Sequence, residues 1–258
     1  MVQFAANLSM MFNEVDFLDR FEAAAKAGFN GVEYLFPYDH EAGEIAQRLK
    51  ANGLVQVLHN MPAGDWGAGE RGIACLPDRV DEFREGVAKA IGYAKTLELG
   101  QLHAMAGIAP EGAAPRELRE TYVSNLRFAA GETEKAGIRL LIEMINTRDI
   151  PGFYLNRSAQ AEEILAEAAS DNLYIQYDIY HMQIMEGDLA PTMERLLPRI
   201  AHIQLADTPG RHEPGTGEIN YPFLFGHLDR IGYKGWIGCE YMPATTTLEG
   251  LGWFEAAR

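Results

Sequence analysis

The segment KAGIRLLIE, residues 135–143, contains the local pattern that decides the fold: a helix end, a glycine and a short apolar strand. Glycine adopts the left-handed conformation at a helix C-terminus without a Cβ clash, so Gly137 is predicted to end the helix. The pattern recurs in four further segments: KAGFNGVEYLF (26–36), ANGLVQVL (51–58), LELGQLHAM (97–105) and RIGYKGWIGCE (230–240). Each is predicted to be a helix-to-strand junction, with the helix ended by Gly28, Gly53, Gly100 and Gly232 in turn.

Eight apolar runs are predicted to be strands, about 32 residues apart, close to the ~30 residues of one βα unit. They are 3–7, 31–36, 54–59, 101–105, 138–143, 173–178, 200–205 and 235–240. Amphipathic segments lie between them, with Asn13 predicted to cap the first helix and Pro115 to begin a later one. Strict alternation of strand and helix requires parallel strands, and eight such units most simply close into a barrel.

An open doubly wound sheet is the alternative architecture. Such a sheet usually carries a glycine-rich phosphate-binding turn after its first strand, and the segment ANLSMMFNE (6–14) contains no glycine. No linker or shift of composition marks a second domain. The sequence therefore predicts an α/β fold, a (β/α)8 TIM barrel, as a single domain spanning residues 1–258.

The charge balance excludes several classes of partner. The chain carries 37 acidic residues against 22 Lys and Arg, a net charge of −15, which opposes binding to nucleic acid or to an anionic membrane. No apolar run approaches the ~20 residues of a membrane span, and the N-terminus lacks a secretory signal pattern. The two cysteines, Cys75 and Cys239, lie far apart in the sequence and form no disulfide framework, as is usual for proteins of a reducing compartment. We expect a cytoplasmic protein without nucleic acid or membrane partners.

Polar residues at the C-terminal ends of barrel strands usually form the active site. Four consecutive predicted strands end at Glu143, Asp178, Gln204 and Glu240, which are 35, 26 and 36 residues apart. A barrel brings these side chains to one mouth. Any one of them alone could be a helix cap or a surface charge, but four in succession favour a functional site.

Three carboxylates at a partly dry mouth cannot all stay ionised unless something offsets their charge. Either one carboxyl group stays protonated or a divalent cation binds. Three carboxylates and one amide offer only oxygen ligands, which suit Mg²⁺ or Mn²⁺. The predicted metal ligands are Glu143, Asp178, Gln204 and Glu240.

Two long loops and one histidine supply candidate substrate contacts. His59 and Arg71 border a glycine-rich loop, which is either a lid over the mouth or a solvated segment. Arg211 lies in the loop 206–220, and its planar guanidinium suits a carboxylate or hydroxyl of a small substrate. His181, three residues beyond Asp178, is a substrate contact, a partner of a metal ligand, or a packed histidine. The substrate-binding candidates are His59, Arg71, His181 and Arg211.

Several long motifs resemble those of the hydroxypyruvate isomerase family, together with the similar 2-oxo-tetronate isomerases, among the xylose-isomerase-like TIM barrels. The similarity extends from ANLSMMF near the start to Trp253. The motifs are HNMPAGDWGAGERGIACLP, IEMINTRDIPGF, IQYDIYHMQIMEGD, HIQLADTPGRHEPGTGEINY and GCEYMPATTTLEGLGW.

The resemblance implies roles for individual residues. Metal ligands in this superfamily are acids and a His or Gln at the ends of the last four strands, which match the four residues predicted above. Glu143 and Glu240 match the general acid and base, and His181 and Arg211 match substrate-contacting positions in related ketose epimerases. Many relatives carry a histidine at the position of Gln204, so the resemblance specifies the site better than the metal.

The implied function is a metal-dependent aldose–ketose isomerase that interconverts hydroxypyruvate and tartronate semialdehyde through an enediolate. A divalent cation would supply Lewis-acid chemistry, and Glu143 and Glu240 would transfer the proton between adjacent carbons. The substrate is a small anionic hydroxy-oxo acid, whose carboxylate would meet Arg211, Arg71 or a mouth histidine.

The sequence leaves alternatives open. A four-carbon 2-oxo-tetronate or a small sugar undergoing epimerisation would use the same site. A phosphodiester hydrolase of the apurinic endonuclease type would need two or three metals and several histidines, and the net charge of −15 opposes DNA. A barrel that only binds a sugar acid is the non-enzymatic alternative. The sequence is compatible with a homo-oligomer.

Overall fold

Eight parallel strands close into one barrel in the computed structural model, which describes residues 2–257. Each strand pairs with the next along the chain, and β1 pairs with β8 to complete the closure. The (β/α)8 TIM barrel prediction is therefore confirmed. The strands are β1 Gln3–Asn7, β2 Gly31–Glu33, β3 Val55–Asn60, β4 Gln101–His103, β5 Arg139–Glu143, β6 Leu173–Asp178, β7 Ile200–Leu205 and β8 Trp236–Cys239.

Three strands end earlier than predicted: β8 by one residue, at Cys239, and β2 and β4 by more. The pairing of β2 with β3 shifts register between Val32 and Glu33, and β2 ends there rather than at residue 36. After β4, Ala106 forms an antiparallel bridge with Gly72 of the preceding long loop. The backbone beyond His103 thus turns from the barrel ladder to that loop, because the loop supplies alternative hydrogen-bond partners.

Within residues 2–257, nine α-helices follow or flank the strands. They are α1 Phe17–Lys26, α2 Ala42–Asn52, α3 Val80–Thr96, α4 Pro115–Lys135, α5 Ser158–Ala168, α6 Ile179–Met185, α7 Leu189–Leu196, α8 Tyr221–Ile231 and α9 Gly252–Ala257. Short 3-10 helices lie at Pro77–Arg79, Leu197–Arg199 and Glu249–Leu251. None of the described helices is long and apolar enough to cross a bilayer.

The two predicted helix starts had different outcomes. Pro115 begins α4, as expected for a residue without an amide hydrogen at the first helical position. The prediction for Asn13 is wrong, because α1 begins at Phe17 after Asp16. The Asn13 amide instead donates to the carbonyl of Met10 at 2.8 Å, so it stabilises the turn before the helix.

A glycine ends the helix at most of the predicted helix-to-strand junctions. Gly53 and Gly232 adopt the left-handed conformation, with φ of 65° and 80°, at the ends of α2 and α8. Gly100 does not, and that prediction is wrong. After α3 the left-handed residue is Glu98, with φ of 54°, and the Leu99 amide donates to the Ala94 carbonyl at 2.8 Å. The helix is therefore closed before the chain reaches Gly100.

The interior of the barrel divides into an apolar and a polar part. A small cluster inside the barrel consists of Ala5, Val57, Leu58, Leu141 and Ala201. The larger apolar core lies between the strands and the surrounding helices. Buried polar residues occupy the strands near their C-terminal ends, among them Glu33, His202 and Gln204. The barrel thus presents acids and amides at one end on an otherwise apolar scaffold.

Candidate active site

The residues at the ends of β5, β6 and β8 form one buried cluster. Glu143, Asp178, His181 and Glu240 each offer a ligand atom, and these atoms all lie within 4.8 Å of one another. Glu143 Oε1 and Asp178 Oδ2 are buried and have no hydrogen-bond partner among the described residues. A carboxylate oxygen without a partner in a dry site is costly unless a cation or a substrate binds it. The donor set therefore fits a divalent cation.

The local backbone explains why these oxygens face the mouth. Asp178 ends β6 and caps α6, because its Oδ1 accepts from the amides of Tyr180 at 2.7 Å and His181 at 3.2 Å. This fixes the carboxylate and leaves Oδ2 for the cluster. Glu240 directly follows β8, and its amide donates to the Leu205 carbonyl at 3.1 Å, which keeps it in the ladder.

Burial and mutual repulsion weaken the acidity of the cluster. Burial raises the pKa of Glu143 well above its ordinary value, and the nearby Glu240 and Asp178 add to the increase. Burial raises the pKa of Glu240 to about 8, although Arg211 counteracts it. Burial also raises the pKa of Asp178, against the effect of Arg211 and of two backbone amides. A raised pKa suits a carboxyl group to exchanging protons with a substrate, because both its protonated and its ionised form become accessible.

Arg211 is the cation that partly offsets this charge. Its Nη2 lies 2.5 Å from Glu240 Oε2 and 3.7 Å from Asp178 Oδ2. Burial alone would lower the pKa of Arg211, but Glu240, Asp178 and Glu143 raise it, so the guanidinium is charged. The backbone of Arg211 is left-handed, with φ of 57°, a conformation that is unusual for a side chain of this size. The loop therefore holds the guanidinium against the carboxylates.

One carboxylate shapes the loop that carries Arg211. Asp207 Oδ2 accepts from the amides of Gly215 and Gly217, each at 2.9 Å. Its Oδ1 accepts from the amides of Thr208 at 2.9 Å and Ile219 at 3.1 Å. Four backbone groups of one irregular loop thus converge on a single side chain. Asp207 was not among the predicted site residues, although an acid two residues beyond a buried strand, at the start of a glycine-rich loop, is a recognisable signal.

Gln204 lies beside the cluster but is engaged by other side chains. Its Nε2 donates to Glu33 Oε1 at 2.7 Å, and its Oε1 accepts from Gln176 Nε2 at 2.6 Å. The same Gln176 nitrogen donates to Glu143 Oε2 at 3.0 Å. In this structure Gln204 therefore reaches Glu143 through Gln176.

His181 faces the carboxylates with one edge of its ring. Its Nε2 lies 3.7 Å from Glu143 Oε1 and 3.6 Å from Asp178 Oδ2. Its Nδ1 lies 2.6 Å from the Asn146 amide nitrogen, so the hydrogen-bond network assigns the proton to Nε2. Burial, Arg211 and His103 lower its pKa well below the ordinary value, which keeps the ring neutral. This arrangement suits a hydrogen-bond donor to a substrate oxygen.

A cavity of about 230 Å³ opens over the cluster. Arg71 and Trp66 of the long loop contribute to its lining, with the Arg71 guanidinium 4.0 Å from the centroid of the Trp66 ring. The lining also includes Arg211, His181, Glu143 and Glu240. A larger cavity of about 560 Å³ lies at the opposite end of the barrel, around the first residues of the strands, away from the carboxylates.

His59 lies apart from this cavity. The ring is buried, its Nδ1 is 2.9 Å from Gln56 Nε2, and it is parallel to the Tyr34 ring at 6.4 Å. Burial lowers its pKa to about 3, so the ring is neutral. The neighbouring Asn60 lines the cavity instead, and its Oδ1 lies 3.0 Å from His103 Nδ1. Of the four substrate-binding candidates, the structure brings Arg71, His181 and Arg211 together.

Two further residues of the site, Asn7 and Asn146, were not among the predicted site residues. Asn7 ends β1, and its amide donates to Glu33 Oε1 at 3.0 Å and Glu240 Oε1 at 3.3 Å. Asn146 orients His181, and its amide also donates to Asp149 Oδ2 at 3.0 Å. Asn7 obeys the strand-end rule, whereas Asn146 lies in a loop where no pattern marks it.

Comparisons with known proteins identify one family and two similar isomerases. Residues 21–257 match the family described as xylose isomerase-like TIM barrel. The chain is 52% identical to hydroxypyruvate isomerase of Escherichia coli (strain K12), covering all of both chains. It is also 52% identical to 2-oxo-tetronate isomerase of Cupriavidus necator, covering 99% of this chain and 98% of the relative.

A solved structure is similar over the whole chain. The crystal structure of an AP endonuclease, family 2, from Brucella melitensis has a TM-score of 0.98 and 49% identity, covering all of both chains. Its described activity differs from that of the two isomerases, so a comparison of names alone does not assign the substrate.

Proposed function

This chain belongs to the xylose isomerase-like TIM barrel family and is an isomerase, and we propose that it interconverts hydroxypyruvate and tartronate semialdehyde. The observation that carries the proposal is the pair Glu143 and Glu240. Both are buried at the floor of the 230 Å³ cavity and have raised pKa values. Two carboxyl groups beside a small cavity can act as general base and general acid and so move a proton between adjacent carbons.

Glu143, Asp178 and Glu240 would hold a divalent cation, with the Gln204 amide oxygen, which also accepts from Gln176, as the further ligand. Mg²⁺ or Mn²⁺ is the cation that carboxylate oxygens favour. Bound there, it would supply Lewis-acid stabilisation of negative charge on the substrate oxygens. The unpartnered oxygens of Glu143 and Asp178 support this assignment.

The two glutamates divide the proton transfer. One carboxylate removes a proton from the hydroxyl-bearing carbon, which gives an enediolate, and a carboxyl group returns a proton to the neighbouring carbon. The hydroxyl proton moves to the former carbonyl oxygen, so the substrate and product are isomers. Arg211, 2.5 Å from Glu240 Oε2, favours the ionised form of Glu240 and thereby keeps it able to accept a proton.

Positively charged side chains around the cavity would bind the substrate carboxylate. Arg211 and Arg71 both line the cavity. The face of the Arg71 guanidinium rests on Trp66 and its Nη1 donates to the carbonyls of Trp66 and Glu70, so its other nitrogens would bind the substrate. His181 Nε2 would donate a hydrogen bond to a substrate oxygen. These local charges offset the −15 of the whole chain, which would otherwise slow the approach of an anion.

A four-carbon 2-oxo-tetronate is the second candidate substrate. The observation in its favour is the equal identity, 52%, to a relative named 2-oxo-tetronate isomerase. The additional carbon and hydroxyl would extend from the carboxylates toward Trp66 and Arg71. Lid and pocket dimensions therefore decide between three and four carbons.

The test is a substrate panel on protein stripped with EDTA and then supplied with Mg²⁺ or Mn²⁺. Hydroxypyruvate, 2-oxo-tetronates, small ketoses and an abasic DNA duplex are assayed side by side. We expect metal-restored turnover of a 2-oxo acid and none of DNA. Turnover of the duplex alone would contradict the proposal, and binding of the acids without proton exchange in D₂O would identify a sugar-acid binding protein.

A further inference from the structure

Glu33 is a fully buried acid at the end of β2 to which the proposed reaction gives no role. Its Oε1 accepts hydrogen bonds from Gln204 Nε2 at 2.7 Å and from Asn7 Nδ2 at 3.0 Å. Its Oε2 lies 2.7 Å from His202 Nε2. Three side chains from two other strands, β1 and β7, thus converge on one carboxylate inside the barrel. A buried carboxyl group with this many partners fixes the orientation of each partner.

The first chain of contacts leads from Glu33 to Glu240. Asn7 Nδ2 lies between the two acids and donates to Oε1 of each, at 3.0 Å and 3.3 Å. Because β1 lies between β2 and β8, the Asn7 amide nitrogen that binds Glu33 on β2 also reaches Glu240 at the end of β8. Glu33 therefore determines which atom of Asn7 faces the proposed proton carrier.

The second chain of contacts leads from Glu33 to Glu143. Gln204 gives its nitrogen to Glu33, so its oxygen faces Gln176. Gln176 Nε2 donates to that oxygen and to Glu143 Oε2 at 3.0 Å. If Gln204 reversed its amide, two NH₂ groups would face each other and Gln176 would lose one acceptor. The orientation set at Glu33 is thereby passed to Glu143.

The backbone of β8 leaves space for this carboxylate. A Cβ atom added to Gly238 would lie 2.3 Å from both oxygens of Glu33, closer than real contacts allow. The glycine two residues before Glu240 therefore accommodates an acid that reaches across from β2. This space is independent of the hydrogen bonds and shows that the barrel is built around the Glu33 side chain.

We propose that Glu33 is a positioning residue that holds Glu143 and Glu240 in their reactive orientations through Gln204–Gln176 and Asn7. The inference rests on the proposed proton-transfer roles of the two glutamates. The group that matters is the acceptor Oε1, because Asn7 and Gln204 both donate to that one oxygen. A glutamine at this position would keep that acceptor and turn its NH₂ toward His202, whose ring can take the other tautomer.

The experiment compares Glu33→Met, which removes the acceptor, with Glu33→Gln, which keeps it. Gln101→Met is the matched control, because Gln101 is also a buried polar residue inside the barrel but contacts neither glutamate. We expect kcat of Glu33→Met to fall by about 10–100-fold with KM within about threefold of wild type. Glu33→Gln should restore most of kcat, and Gln101→Met should leave kcat unchanged.

A purely structural role would lower the folded fraction of each variant without changing kcat per folded molecule. Near-wild-type kcat in folded Glu33→Met would overturn the proposal, as would an equal loss in Glu33→Gln. If Glu33→Met does not fold, Gly238→Ala displaces the same carboxylate from the other strand and should reproduce the loss of kcat, whereas unchanged kcat there would overturn the proposal.

A crystal structure separates this inference from the proposed function. In Glu33→Met the Asn7–Glu240 and Gln176–Glu143 hydrogen bonds should be lost, and in Glu33→Gln they should be kept. Retention of both bonds in Glu33→Met would overturn the positioning role whatever the substrate is. Failure of the wild type to isomerise any 2-oxo acid would instead overturn the proposed function and leave this structural comparison valid.

Discussion

At the scale of single residues, the site combines buried acids that resist ionisation with the guanidinium of Arg211, which lies beside them. Burial raises the pKa of Glu240 to about 8, while Arg211 stabilises its ionised form from 2.5 Å. Sequence spacing predicted which strands end in acids, since the (β/α)8 period fixes those positions. It could not predict that Gln204 would be engaged by Gln176 and Glu33, because side-chain partners depend on packing across the barrel.

Arg211→Met should raise KM for the 2-oxo acid and lower kcat/KM by about 10–100-fold, the equivalent of one charge-assisted hydrogen bond of about 1.5–3 kcal/mol. The physical reason is the loss of the guanidinium that binds anionic groups beside Glu240. Steady-state kinetics on the metal-loaded enzyme measure it. The control is Arg119→Met, whose guanidinium pairs with Glu163 and Glu167 on the surface. Unchanged KM in Arg211→Met would refute the substrate-binding role.

At the scale of elements, the start or end of a helix was predictable where one residue type decides the backbone conformation. Pro115 at the start of α4 and Gly53 at the end of α2 are examples. They were not predictable where a hydrogen bond decides it. Glu98 takes the left-handed position that was expected at Gly100, because the Leu99 amide closes the helix earlier. The loop that carries Arg211 is a similar case, since its shape depends on contacts made by Asp207.

Asp207→Ala should destabilise the protein by at least about 2 kcal/mol, because it leaves four backbone amides of the loop without their acceptor. The loosened loop should also raise KM, since Arg211 is part of it. Urea unfolding and steady-state kinetics measure the two effects. Asp171→Ala, at an exposed site before β6, is the control. A variant as stable as wild type would show that the loop does not depend on Asp207.

At the scale of the whole molecule, the barrel brings together at one mouth three acids, Glu143, Asp178 and Glu240, that are spread over nearly 100 residues of the sequence. The period of the strands sufficed to predict the closed barrel and its acidic mouth. The long loop was predicted to be either a lid over the mouth or a solvated segment. The strand period could not decide between the two, because the placement of Trp66 and Arg71 beside the cavity depends on contacts such as Trp66 with Phe36 at 5.0 Å. The same crowding of acids makes the metal-free molecule sensitive to pH.

Metal-free protein should lose stability as pH rises from 6.5 to 8. Glu240 has a pKa of about 8 in the folded state against 4.5 as its ordinary value, so the folded state binds more protons than the unfolded state in this window. Stability then falls with pH, by at most about 1.4 kcal/mol per pH unit for one carboxyl. Thermal unfolding after EDTA treatment measures it.

Glu240→Gln is the matched variant for this prediction and should show a flatter profile. The buried histidines His59, His103 and His181 oppose this trend near pH 6.5, because their pKa values are lowered in the folded state while the unfolded rings titrate at about 6.5. They are the same in both proteins, so the difference between wild type and Glu240→Gln isolates the contribution of Glu240. Mg²⁺ or Mn²⁺ should stabilise the wild type more at pH 8 than at pH 6.5, since cation binding favours ionised carboxylates. A metal-free wild type whose stability rises from pH 6.5 to 8 would contradict the described electrostatics.

The central claim is that Glu143 and Glu240 carry the substrate proton, and deuterium uptake in D₂O tests it most directly. Wild-type enzyme should introduce deuterium at the hydroxyl-bearing carbon of hydroxypyruvate. Folded Glu240→Gln and Glu143→Gln should each exchange it about 10²–10⁴-fold more slowly, the usual contribution of a general base. Exchange by folded Glu240→Gln at the wild-type rate would contradict the assignment.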